Sequence, residues 1–150
     1  MKERVILLVE DNPTDEMLTL RAFEQNNIQN NVVVARDGVE ALDFLFGTGQ
    51  YVGRDISILP QVVILDLKLP KVDGLQVLQK LRSDERTRNT PVVILTSSKE
   101  EQDVVKAWNL GTNAYVQKPV DFVKFAEAVK HLGMFWLLLN EPFPGEKPQV

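Results

Sequence analysis

The stretch Val62-Val63-Ile64-Leu65-Asp66-Leu67-Lys68-Leu69-Pro70 decides how the chain reads. Its first four residues are aliphatic, with no alternation of apolar and polar positions. A strand with one wet face alternates, whereas a strand covered on both faces does not, and parallel sheets flanked by helices meet that second condition. The run then stops on an aspartate. Four more runs share the look: Val5–Val9, Val32–Ala35, Val92–Leu95 and, less pure, Ala114–Val116.

Helical signals fill the gaps. Asn12-Pro13-Thr14-Asp15 offers an N-cap, a proline at the first helical position and an acid in the first turn. After Asp73-Gly74, residues Leu75, Val77, Leu78 and Leu81 cluster on one helical face. Ser98-Lys99-Glu100-Glu101 matches a capping box, and Gly111 sits where a helix would end. From Asp121, a stripe of Phe122, Phe125, Ala126, Val129 and Leu132 predicts a last helix. Five strands alternating with five helices predict a doubly wound α/β sheet with right-handed crossovers. One domain is expected over residues 1–139, the last part a C-terminal helical extension, with a proline-containing tail over 140–150. The connection 47–60 is long, and its Gly47-x-Gly49 is read as a flexible loop, since no strand precedes it as in a dinucleotide fingerprint.

Composition narrows the chemistry. The 150 residues carry 17 Lys+Arg against 21 Asp+Glu, a net charge of −4, with one histidine and no cysteine. Without cysteine there is no disulfide framework, thiolate metal site or cysteine nucleophile, and one histidine excludes multi-histidine metal sites. No Gly-x-Ser-x-Gly elbow is present, and His131 falls in the last helix, so a serine hydrolase is excluded. The acidic balance argues against a nucleic-acid partner, and Arg82, Arg86 and Arg88, mixed with Asp84 and Glu85, read as a solvated helix end. The apolar run Val5–Val9 is too short for a signal peptide or membrane span, which predicts a cytoplasmic protein without a membrane partner.

In open α/β sheets, ligands bind at the carboxyl ends of strands where the strand order reverses. The first strand ends in Glu10-Asp11, the third in Asp66 and the fourth in Thr96, and the fifth runs into Lys118-Pro119. Taken singly, each has an ordinary reading: a helix cap, a loop acid, a surface lysine. Their joint placement does not. Three carboxylates packed together repel unless a cation intervenes, and a hard divalent cation, Mg²⁺, suits oxygen ligands. Asp11 and Asp66 would bind it directly with the Lys68 backbone carbonyl, and Glu10 through water. With the Lys118 ammonium and the Thr96 hydroxyl, this is equipment for phosphoryl transfer, with Asp66 as nucleophile forming an aspartyl phosphate.

These motifs resemble the receiver domains of two-component response regulators. The matching segments are Ile6–Asn12, Val63–Pro70 with Asp73-Gly74, Val92–Ser98 and Gly111–Pro119, in order over roughly residues 4–132. The resemblance implies a flavodoxin-like (βα)5 fold with strand order 2-1-3-4-5. It also implies that Asp66 accepts phosphate from a sensor histidine kinase, Glu10 and Asp11 hold Mg²⁺, and Lys118 contacts the phosphoryl group. Thr96 with Tyr115 would form the conformational switch. Such a domain catalyses its own phosphorylation and dephosphorylation, with Lys68 and Ser98 flanking the path of water. The long 47–60 loop is similar to that of stand-alone regulators paired with phytochromes. A pseudo-receiver, binding partners without phosphorylation, is the alternative; it would lack one of the five site residues, and none is missing. Finally, Met134-Phe135-Trp136-Leu137-Leu138-Leu139 is apolar all round, which predicts an interface at Phe135, Trp136 and Leu138, for a homodimer or for the kinase.

Overall fold

A computed structural model describes residues 5–112, 114–131 and 133. Five strands, β1 (Val5–Val9), β2 (Asn31–Ala35), β3 (Val62–Asp66), β4 (Val92–Thr96) and β5 (Ala114–Gln117), alternate with five helices. These are α1 (Pro13–Gln25), α2 (Gly38–Phe46), α3 (Gly74–Ser83), α4 (Lys99–Trp108) and α5 (Phe122–His131). All four strand pairings are parallel, in the order β2-β1-β3-β4-β5. Every residue of β1, β3 and β4 is buried, as the unbroken aliphatic runs predict, whereas the edge strands β2 and β5 are partly exposed.

Strand periodicity divides the core in two. Ile6, Leu8, Ile64, Val93 and Leu95 face Phe23 of α1 and Phe125 of α5, whose rings lie 4.9 Å apart. Leu7, Val9, Val63, Leu65 and Ile94 face Leu45, Leu78, Leu81 and Val105 from α2, α3 and α4. The three central strands, β1, β3 and β4, are therefore covered on both sides, which removes the need for polar alternation.

The caps refine the expectation. Asn12 accepts from the Thr14 and Asp15 amides, and Asp73 forms a full capping box with Gln76. At α4, Ser98 accepts from the Glu101 amide, but the Glu101 carboxylate turns to the Ser97 amide at 2.8 Å. Asn109, not Gly111, takes the left-handed cap of α4, because a short polar side chain tolerates that geometry. In α5, Phe122 is 44% exposed although it belongs to the apolar stripe, since Phe125, Ala128 and Val129 fill the face toward the sheet.

Two arginine-centred loops depart from expectation. The 47–60 segment is clasped rather than loose: Arg54 stacks on Phe44 at 4.0 Å and donates to the Phe44, Asp55 and Ile58 carbonyls. Arg82 is not merely solvated; it donates to the Leu110, Arg88 and Thr90 carbonyls and ties two loops at the amino end of the sheet. Planar guanidinium groups suit such multiple carbonyl contacts. The expected extension and tail, with Phe135, Trp136 and Leu138, lie outside the described residues. Among the described residues, no helix is long and apolar enough to cross a membrane.

Candidate functional site

β1 is the point where the order reverses, since β2 lies on one side of it and β3 on the other. The crevice at its carboxyl end receives Glu10 and Asp11 from just beyond β1, Asp66 from the end of β3 and Lys118 from just beyond β5. Glu10 is wholly buried and Asp66 is 1% exposed, while Asp11 is exposed. One oxygen from each of the three carboxylates falls within 4.8 Å of the others. Lys118 Nζ lies 2.8 Å from Asp66 Oδ2 and 3.0 Å from Glu10 Oε1. The Lys118 amide donates to the Thr96 carbonyl at 2.8 Å, which fixes the lysine's backbone against β4.

This arrangement is electrostatically tense. Burial, then the hydrogen bond and charge of Asp66, push Glu10 up to about 8, and Lys118 relieves only part of that. For Lys118, burial works against the charged form, but Asp66 and Glu10 outweigh it and hold the ammonium above the usual lysine range. Glu10 Oε2 accepts from the Asn12 amide at 3.2 Å, whereas the buried Oε1 has the ammonium close by but outside hydrogen-bond geometry. A clustered, oxygen-only donor set with an under-satisfied buried oxygen fits a hard divalent cation. Glu10, Asp11 and Asp66 are the residues that can hold one. A cleft of about 570 Å³ opens beside them, lined by Asp11, Leu67, Leu69, Glu101 and Val104 among others.

The remaining expected residues lie on β4, β5 and the segment after β3. Thr96 is 1% exposed at the end of β4, in the register next to Gln117 of β5. Tyr115 is half-buried in β5, with Lys106 Nζ 5.5 Å from its ring centre, and its hydroxyl donates to the Thr112 carbonyl at 3.0 Å. The Lys68 amide donates to Asp66 Oδ1 at 3.2 Å, while the Lys68 ammonium reaches out to Glu101 at 3.8 Å. His131 is exposed on α5, as expected. One contact escaped the sequence reading: Asp15 Oδ2, in the first turn of α1, lies 3.2 Å from Lys118 Nζ. An acid in a first turn already has a reason to be there, so no local signal in the sequence points to this contact.

Comparison with known proteins agrees with the geometry. The family model for the response regulator receiver domain matches residues 6–130. The solved bacteriophytochrome response regulator AtBRR is 57% identical over 94% of this chain and 100% of its own, with a TM-score of 0.82. The Mn²⁺-bound form of Rcp1, a response regulator of Synechocystis, is 34% identical over 89% of this chain and 94% of its own, at a TM-score of 0.71. The phosphorylated cyanobacterial phytochrome response regulator RcpA is 36% identical over 90% of this chain and 94% of its own, at a TM-score of 0.72. With strand order, acidic crevice and family match in agreement, the chain belongs to the receiver domains of two-component response regulators, phosphoacceptor proteins that bind a divalent metal.

Proposed function

We propose that this chain takes a phosphoryl group onto Asp66 from the phosphohistidine of a sensor histidine kinase and signals through protein contacts. One observation carries the reading: the buried Asp66 carboxylate lies 2.8 Å from Lys118 Nζ and clusters with Glu10 and Asp11 within 4.8 Å. An Asp66 oxygen attacks phosphorus in line, the bond from phosphorus to the donor imidazole nitrogen breaks, and that nitrogen keeps the electron pair. Lys118 faces the equatorial oxygens, and Thr96 donates a hydrogen bond to one of them. Asp11, Asp66 and the Lys68 carbonyl would hold Mg²⁺ directly and Glu10 through water, and the ion when bound would neutralise charge on the phosphoryl oxygens. Water that later hydrolyses the acyl phosphate passes between Lys68 and Ser98.

Phosphorylation adds charge and acceptor oxygens beside Thr96, and Tyr115, tied to Thr112 in the present state, exchanges that bond for the space Thr96 vacates. The likeness to AtBRR and RcpA supports a phytochrome-type kinase as the partner. The reading includes a cytoplasmic location and a homodimer built on Phe135, Trp136 and Leu138, with one receiver over residues 1–139 and a tail over 140–150. Incubation with acetyl phosphate and Mg²⁺ followed by intact mass tests the acceptor. A gain of one phosphate, labile to base and absent in Asp66→Asn, is expected; no gain in the parent from acetyl phosphate or kinase overturns the reading.

A further inference from the structure

Lys118 carries three N–H donors and has three carboxylate neighbours: Asp66 at 2.8 Å, Glu10 at 3.0 Å and Asp15 at 3.2 Å. The three are not equivalent. The Glu10 and Asp66 side chains are 0% and 2% exposed, whereas that of Asp15 is 22% exposed. The two buried acids, with the backbone bond to Thr96, already position the lysine. Asp15 adds a third anion, more exposed to solvent than the other two. Its place is built in: Asn12 caps the Asp15 amide at 3.0 Å, Pro13 opens the helix, and the Thr19 hydroxyl donates to the Asp15 carbonyl at 2.8 Å.

We propose that Asp15 is a specificity-determining residue that disfavours small, doubly charged phosphodonors relative to a donor delivered by protein contacts. The proposal rests on Asp66 being the acceptor. Asp15 acts through its charge: paired with the Lys118 ammonium at 3.2 Å, it repels an incoming dianion and offsets part of the positive charge that would draw one in. A small donor meets this barrier with only its own binding energy. A phosphohistidine carried on a docked kinase meets it with the binding energy of an interface, so the same charge selects between the two sources.

Two small donors of different charge test this without the kinase. In both, an Asp66 oxygen bonds to phosphorus as the donor bond breaks: acetyl phosphate loses its P–O bond and acetate departs, while phosphoramidate loses its P–N bond and ammonia departs. Rates of aspartyl phosphate formation are measured in Mg²⁺ with acetyl phosphate, doubly charged at neutral pH, and with phosphoramidate, singly charged. Asp15→Asn is expected to raise kcat/KM for acetyl phosphate by roughly three- to tenfold and for phosphoramidate by clearly less, the difference shrinking as salt screens it. Asp15→Glu, which keeps the charge, should stay near the parent on both donors. An equal gain on both donors, no gain, or a loss that Asp15→Glu does not restore overturns the proposal. If the parent takes up no phosphate from either donor, the acceptor reading fails first, a result distinct from a parent that reacts and an Asp15→Asn variant that matches it.

Discussion

At the scale of the residue, the site depends on a position with no side chain. A Cβ on Gly74 would lie 2.1 Å from the Asp66 carbonyl oxygen and 2.6 Å from the Leu67 Cα, both backbone atoms that cannot swing aside. The start of α3 is therefore pressed against the strand end that carries Asp66, the proposed acceptor. Gly74→Ala is expected to cost about 1–3 kcal/mol through overpacking and to slow phosphorylation, because the displaced atom belongs to Asp66. Thermal unfolding beside acetyl phosphate uptake checks both; a variant with parental stability and parental rate would refute the close approach. The sequence shows Asp73-Gly74 as a helix start, but not that this glycine touches Asp66. Likewise, Glu10, Asp11, Asp66, Thr96 and Lys118 are legible as candidate site residues because each closes or follows an aliphatic run. Asp15 is not, because nothing local distinguishes an acid that serves a helix dipole from one that also reaches a lysine at the far end of the chain.

At the scale of the element, the connections show most clearly where composition misleads. Gly47, Gly49 and Gly53 make 47–60 look loose, and positive φ at all three does allow sharp turns. Yet Tyr51 packs edge-on to Phe44 at 5.2 Å, and Arg54 binds three carbonyls around the same ring. Arg54→Ala should cost roughly 1–3 kcal/mol by leaving carbonyls short of donors and should make 47–60 the first segment cut in limited proteolysis. Arg54→Lys should not restore protection, since an ammonium cannot both stack on Phe44 and fork between carbonyls. Unchanged cleavage in Arg54→Ala would show that the glycines and Tyr51 hold the loop without it. The strands, in contrast, match their sequence runs to within a residue at each end; in β1, β3 and β4 burial on both faces leaves the aliphatic pattern undiluted.

At the scale of the whole molecule, two apolar layers hold a five-stranded parallel sheet, and the candidate site lies at the carboxyl ends of its strands. The proposed output runs through protein contacts, and the proposed homodimer belongs to this scale. Trp136→Glu is expected to shift sedimentation from dimer toward monomer, since a charge in an apolar interface core is costly; a variant as dimeric as the parent would remove Trp136 from the interface. The amino-acid sequence by itself determined the α/β class, the number of strands and the acids at their ends, because period and run length are local and survive without knowledge of the neighbours. The charge state of the site was decided only by the tertiary structure. Bringing β1, β3 and the end of β5 together buries Glu10 against Asp66, raises its proton affinity and gathers three carboxylates on the single ammonium of Lys118. Desolvation and charge proximity are properties of the assembled crevice, and no segment of the chain carries them alone.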